Sequence, residues 1–155
     1  MHTVLEKMIE QADGKYLGRK DVQVLLDYAQ SVQLRIETYQ AIKEQEAELM
    51  AMVLEKVHAH PVYINRYINT ENGKCLRDMT ATLRYCSTAM LLNDEQFLRE
   101  GYLIWLETII RSLKHKDLTL ASMEALSEAL AERLPQDQYK LMAPFMNTIC
   151  DAFRM

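Results

Sequence analysis

Wound at roughly 100° per residue, the segment beginning at Cys75 brings Asp78, Met79, Thr82 and Cys86 to within about 60° of the Cys75 side chain. A thiol, a carboxylate and an apolar strip then share one helix face. That face suits a long, flat ligand: the carboxylate can accept hydrogen bonds from paired ring N–H groups, and the thiol can form a thioether that fixes one end. The same residues admit a structural reading, a buried cysteine beside an Asp78 ion-paired to Arg77 or Lys74. Of the three cysteines, Cys75 stands near a predicted helix start. There the polar stretch from Asn69 to Gly73 leaves it reachable, and the helix N-terminus is expected to lower its pKa. Cys86 lies three turns deeper and Cys150 falls in an apolar stripe, so both are expected to be inert, buried thiols.

Other chemistry is poorly supplied. His58 and His60 point about 200° apart on a helix and are unsuited to share a metal ion. The chain has no Gly-rich phosphate loop, no Cys-x-x-Cys pair and no Ser or Cys in an accepted nucleophile motif, so no catalytic residue or metal ligand is assigned and an enzyme is not expected. Haem in a helical pocket stays open only because histidines are present. With 18 Lys and Arg against 22 Asp and Glu, the formal net charge of −4 argues against a strongly basic nucleic-acid binder. No run approaches the roughly 18 apolar residues of a membrane span, and Met1 to Lys7 holds no apolar signal core. The odd number of cysteines agrees with free thiols in a cytosolic setting.

The elements that must hold the Cys75 face are helical. Four Gly and three Pro in 155 residues are too few turn formers for a sandwich or barrel of many short strands. An apolar content of 49% suffices for one core in a single domain, 1–155. Apolar spacing predicts a short helix from Thr3 to Gln11, broken by Asp13-Gly14, and a second from Lys20 to about Gln30. One or two longer helices follow from Val32 through Val57 to Pro61, with Lys43-Glu44-Gln45-Glu46 as their solvated face. Pro61 to Gly73 reads as a polar loop ending in an Asn N-cap. A helix from Lys74 to Leu92 then closes at Asn93-Asp94. The next, Glu95 to Leu113, is apolar nearly all round through Tyr102-Leu103-Ile104-Trp105-Leu106 and is expected to be central. Leu120 to Leu130 and Met142 to Phe153 supply the last stripes, and Pro144 is expected to kink the final helix or shift its start. Most of the ten methionines sit at helical spacing among Leu and Ile, which assigns them to core packing.

Cys75-Leu76-Arg77-Asp78-Met79, continued by Leu83-Arg84-Tyr85, resembles the bilin-attachment helix of phycobiliproteins, especially the beta-type subunits of phycocyanin and allophycocyanin. Ala12-Asp13-Gly14-Lys15-Tyr16-Leu17 is similar to the turn after that family's first helix. Leu34-Arg35, Asn65-x-Tyr67 ahead of the cysteine, and Ile149-Cys150 near the end extend the likeness over nearly the whole chain. The resemblance implies an all-α, globin-like helical fold with two additional N-terminal helices, residues 1–30, that pair with a second subunit. It implies that Cys75 anchors a phycocyanobilin-type linear tetrapyrrole by a thioether, that Asp78 accepts from the central pyrrole N–H groups, and that Arg77 binds a propionate. On an ideal wheel Arg77 lies about 200° from Cys75 and must wrap around the helix. Asn65, Tyr67 and Thr82 join the site, with Asn65 at a position the family often methylates. Asp13, Tyr16 and Arg84 correspond to subunit-pairing contacts. The implied partners are a second copy of the chain or a related phycobiliprotein subunit, and phycobilisome linker proteins. The implied location is the cytoplasm, at the cytoplasmic face of the thylakoid membrane, without insertion.

Departures from the family pattern mark a divergent member. Thr70-Glu71 stand where two arginines are expected, Ile104-Trp105-Leu106 replaces Asn-Gly-Leu, Ile110 replaces an aromatic, Leu92-Asn93 replaces Ala-Gly, and the second attachment cysteine of phycocyanin beta chains is missing. A Trp in place of Gly must fill the pocket or open a new contact. Glu71 and Trp105 favour an alternative in which the same fold carries no cofactor and acts as an assembly or regulatory partner. The intact trio Cys75, Arg77 and Asp78 favours a light-harvesting subunit with one bilin.

Overall fold

The computed structural model describes residues 3–64 and 74–154. The first helix, α1 (Thr3–Ala12), stops where Asp13 and Gly14 take φ of 39° and 75°. This left-handed conformation suits Gly and is tolerated by Asp, so the Asp-Gly pair breaks the helix as its sequence predicts. Gly18 opens α2 (Arg19–Glu44), its backbone N–H donating to the Asp21 carboxylate at 3.1 Å. α2 does not break near Gln30, contrary to the expectation of two helices there. Neither Gly nor Pro occurs in Gln30-Ser31-Val32, and the Ser31 hydroxyl donates to the Tyr28 carbonyl within the helix at 2.9 Å. The break falls instead at Gln45, ahead of α3 (Glu46–Ala59). The Lys43 to Glu46 cluster is therefore a helix junction as well as a charged surface, and Glu46 is drawn toward a later helix.

After α4 (Pro61–Ile64), Asn65, Tyr67 and the expected Asn N-cap lie outside the described residues. α5 (Lys74–Leu92) matches its predicted span and ends at Asn93, φ 51°, after which the Asp94 side chain accepts from Phe97 N–H at 3.1 Å and starts α6 (Glu95–Leu98). A π-helical turn over Arg99–Leu103 joins α6 to α7 (Ile104–Leu113) without interrupting the rod. Such a turn widens the coil and shifts the facing of the residues beyond it by about one position. Ile104 and Trp105 accordingly face outward, and the helix is not buried all round as its composition suggests. Lys114, at φ 56°, ends α7. α8 (Lys116–Arg133) and α9 (Gln136–Arg154) complete the described chain. α9 runs through Pro144 unbroken, so its start is not displaced. Pro144 and Lys140, whose carbonyl the missing N–H would have paired, are both exposed, and water can serve that carbonyl.

No strand occurs among the described residues. The all-α expectation holds. α5 packs against α2, α3, α8 and α9. Leu49, Val53 and Val57 of α3, Leu83 and Met90 of α5, Met123, Leu126 and Leu130 of α8, and Met142, Met146 and Ile149 of α9 are sealed from water. Their i, i+3 and i+4 spacing gives each helix one apolar stripe, which is what selects the packed arrangement. Seven of the methionines are buried in this way or nearly so, from Met8 to Met146. By contrast, Val4, Ile9, Leu17, Val22, Val24, Leu25 and Leu26, on α1, the turn after it and the first half of α2, stay exposed. No helix among the described residues is long and apolar enough to cross a membrane.

Candidate cofactor site

Cys75 lies in the first turn of α5, half-buried. Its thiol lies near the hydroxyls of Tyr63 on α4 and Ser122 on α8. Those two hydroxyls contact each other, and both stand within hydrogen-bond distance of the Leu118 carbonyl, Tyr63 at 2.8 Å and Ser122 at 3.0 Å, so their two protons are shared among three contacts. Burial pushes the Cys75 pKa above its ordinary value, the two hydroxyls pull it back and the Asp78 charge adds to the rise. The expectation of a lowered pKa is thus overturned. The helix N-terminus favours the thiolate, but taking the sulfur out of water costs more.

The predicted face divides into an inner and an outer part. Met79, Thr82 and Cys86 turn into the core, whereas the Asp78 side chain keeps 51% of its surface and Arg77 76%. Arg77 Nε stands 3.9 Å from Asp78 Oδ1, a loose ion pair on the outside of the helix. The structural reading of Asp78 as an ion-pair partner is therefore realised in part, with Arg77. The Thr82 hydroxyl donates to the Asp78 carbonyl at 2.9 Å and bonds to the Tyr102 hydroxyl at 2.8 Å. The Tyr102 ring stacks on Tyr85, centroids 4.4 Å apart and planes at 12°, and is bordered by Trp105 at 5.9 Å. Trp105 does not fill an interior pocket; it is 57% exposed and makes a new surface contact instead.

Sequence reasoning missed Tyr63, Ser122, Tyr85 and Tyr102. Tyr85 carried a usable signal, since ten residues after Cys75 on a helix it lies about 80° away on the same side as Asp78. The others meet α5 only through tertiary packing. Cys86 and Cys150 are buried as expected. Burial raises Cys150 to about 11 and Cys86 higher still.

Asp13 and Tyr16 sit on the exposed turn between α1 and α2. Arg84 forms a two-point ion pair with Glu46 of its own chain, Nε to Oε2 at 2.8 Å and Nη2 to Oε1 at 2.6 Å. The guanidinium holds the Glu46 carboxyl below its usual range. Within the chain Arg84 is thus brought to Glu46, so an Asp13 from another subunit would have to share it. Asn65 and Tyr67 lie outside the described residues.

A thiol and a carboxylate thus stand one turn apart on α5, the helix around which the all-α, globin-like core is packed. The sequence profile of the family described as "Phycobilisome protein" matches residues 7–153. Allophycocyanin beta chains of Cyanidium caldarium and Arthrospira platensis are each 27% identical over 157 residues, covering 97% of this chain and 98% of theirs. That of Mastigocladus laminosus is 28% identical over 160 residues at the same coverage. The chain belongs to the phycobilisome protein family, whose members are light-harvesting proteins and not enzymes.

Proposed function

We propose that this chain is a minor light-harvesting subunit carrying one phycocyanobilin-type linear tetrapyrrole, thioether-linked to Cys75. A single observation carries the reading: of the three cysteines, Cys75 alone escapes full burial, and it does so one turn from a half-exposed carboxylate. The residues fit such a group, since a reachable thiol can anchor it and Asp78 can accept from paired ring N–H groups while half open to solvent. When bound, the pigment supplies visible absorption and passes on excitation energy. Arg77, solvated on the outer side of α5, is the residue for a propionate, Thr82 stands one turn after Asp78 on the same helix, and Asn65 and Tyr67 are assigned to the site by the resemblance alone.

The chain acts as one domain, 1–155, with residues 1–30 as its pairing extension. Its partner is a second copy or a related phycobiliprotein subunit, met through Asp13, Tyr16 and Arg84, with linker proteins joining the assembly at the cytoplasmic face of the thylakoid. A second reading, a pigment-free assembly partner, is favoured by the packing of Tyr85, Tyr102 and Trp105 beside the Asp78 turn. Co-expression with a bilin and a bilin lyase separates the two. A coloured wild type and a colourless Cys75→Ala variant support the first; a colourless wild type supports the second.

A further inference from the structure

Arg84, exposed on α5, is held along one edge only. Glu46, the first residue of α3, takes its Nε and Nη2 with the two oxygens of one carboxylate, at 2.8 and 2.6 Å. A guanidinium has five N–H donors, and this pair uses two of them. The donors along its Nη1–Nη2 edge form a second fork, also matched to a carboxylate, and make no hydrogen bond among the described residues. Glu46 is itself fixed in place. The α2–α3 junction is gripped on its other side by Arg133 of α8, which donates to the Gln45 side chain at 3.2 Å and pairs with Glu48. Arg84 also borders a cleft of about 370 Å³ whose apolar lining is Tyr39, Ile42 and Leu83, and which Lys43 lines as well.

We propose that Glu46 is a positioning residue for subunit pairing: it holds Arg84 side-on, so that the free edge of the guanidinium stays presented to Asp13 of a second copy of this chain. The proposal rests on the reading of Asp13 and Arg84 as pairing contacts, and it names what makes Arg84 ready for that contact. The turn that carries Asp13 matches the receiving face. Asp13, at φ 39°, and Tyr16 both stand exposed on it, Tyr16 fully. A carboxylate and, three residues on, an aromatic ring therefore meet a guanidinium fork and an apolar cleft. Arg84 keeps 68% of its side-chain surface, so a partner reaches it without displacing Glu46. Two carboxylates on one arginine weaken each other's attraction, and two features offset this. Lys43 adds a further cation at the cleft. The entropy lost in fixing a long, exposed side chain falls on folding and not on docking. The guanidinium in turn holds the Glu46 carboxyl below its usual range, so the grip persists at neutral pH.

The test is the dimer dissociation constant, from sedimentation over a dilution series, of the full chain, Glu46→Ala, Arg84→Ala and the double variant. Thermal melting followed by circular dichroism checks that each fold survives. A two-fold dimer uses the contact twice, so freeing both arginines in Glu46→Ala should raise the constant by about tenfold. Glu46→Gln, which keeps one acceptor oxygen, should fall between that variant and the wild type. With Arg84→Ala already present, Glu46→Ala should change nothing, whereas a loss acting through the fold of α3 would persist. An unchanged constant in Glu46→Ala would overturn the proposal, as would a further rise in the double variant. A lower constant would overturn it too, because Glu46 would then compete with Asp13 for the arginine. The pairing reading is judged separately. Weakening by Asp13→Ala and Arg84→Ala, with no effect of Glu46→Ala, would keep the pairing and remove the positioning role. A wild type that stays monomeric, or a dimer that Asp13→Ala and Arg84→Ala leave unmoved, would remove the pairing reading and the proposal with it.

Discussion

Asp78 is the residue on which the optical properties of a bound tetrapyrrole should turn. Its cationic neighbour Arg77 is 3.9 Å away and largely solvated, and the Asp78 side chain itself keeps 51% of its surface, so ring N–H donors can reach the carboxylate. Asp78→Ala should leave the thioether intact but blue-shift and broaden the visible band, because unpaired ring N–H groups no longer hold the rings flat. An unchanged spectrum would reduce Asp78 to an ion-pair role. The buried thiols predict a different pH effect. Cys150 titrates near 11 in the folded chain against 9.0 as its ordinary value. Below pH 9 both states keep the proton; above it the unfolded chain loses the proton first. Stability present below pH 9 is therefore lost as pH rises toward 11, by about 2–3 kcal/mol, and Cys86 adds to the fall. Under reducing conditions, thermal melts across this range should show a declining melting temperature in the wild type and a flatter profile in Cys150→Ala. Equal declines would place the effect elsewhere.

Arg35 shows how one side chain fixes the relation between two elements. Buried on α2, it donates to the Leu91 carbonyl at the end of α5, to the Tyr28 carbonyl at 3.0 Å and to the Ser31 hydroxyl at 3.0 Å, with its guanidinium carbon 4.3 Å from the centroid of the Tyr28 ring. Its positive charge sits at the negative end of α5. Arg35→Met keeps the volume and removes the donor to the Leu91 carbonyl, so urea unfolding should record a loss of about 2–4 kcal/mol; a loss under about 1 would mean that water replaces it. Helix type and most helix ends were legible in the sequence because the 3.6-residue apolar period and breakers such as Asp13-Gly14 and Asn93-Asp94 are local signals. The continuity of α2 through Ser31 was not, since a shift in the phase of apolar residues imitates a break. The π-helical turn was equally hidden: nothing in Arg99 to Leu103 announces it, yet it turns Trp105 outward. In the candidate site, the angular grouping of Cys75 with Asp78 and Thr82 could be counted along one helix. The hydroxyls of Tyr63 and Ser122 could not, because they come near the thiol through the packing of α4 and α8.

At the scale of the molecule, the exposed apolar residues of α1 and α2 call for a partner. A ten-residue helix is too short to be stable alone in water, and within its own chain Val4 and Leu5 border a shallow cleft with Val24, Tyr28 and Leu141. Burying this face against a second copy or a related subunit accounts for its composition. Sedimentation at tens of micromolar, an order-of-magnitude choice above a typical dimer constant, should show an isolated wild type as a dimer, weakened by Asp13→Ala or Arg84→Ala and abolished on deleting residues 1–18. In the Glu46–Arg84 pair the guanidinium side chain keeps 68% of its surface, so the pair adds little to the monomer, and Arg84→Ala should lower association far more than melting temperature. A monomeric wild type unmoved by these changes would remove the homodimer and leave a heterodimer with a related subunit. The central claim, pigment on Cys75, is read most directly from the tryptic map of chain co-expressed with a bilin and lyase. Cleavage after Lys74 and Arg77 isolates Cys75-Leu76-Arg77. That tripeptide should carry the full mass of one tetrapyrrole, as addition without loss of hydrogen requires. An unmodified tripeptide, or the same mass on the peptides holding Cys86 or Cys150, would contradict it.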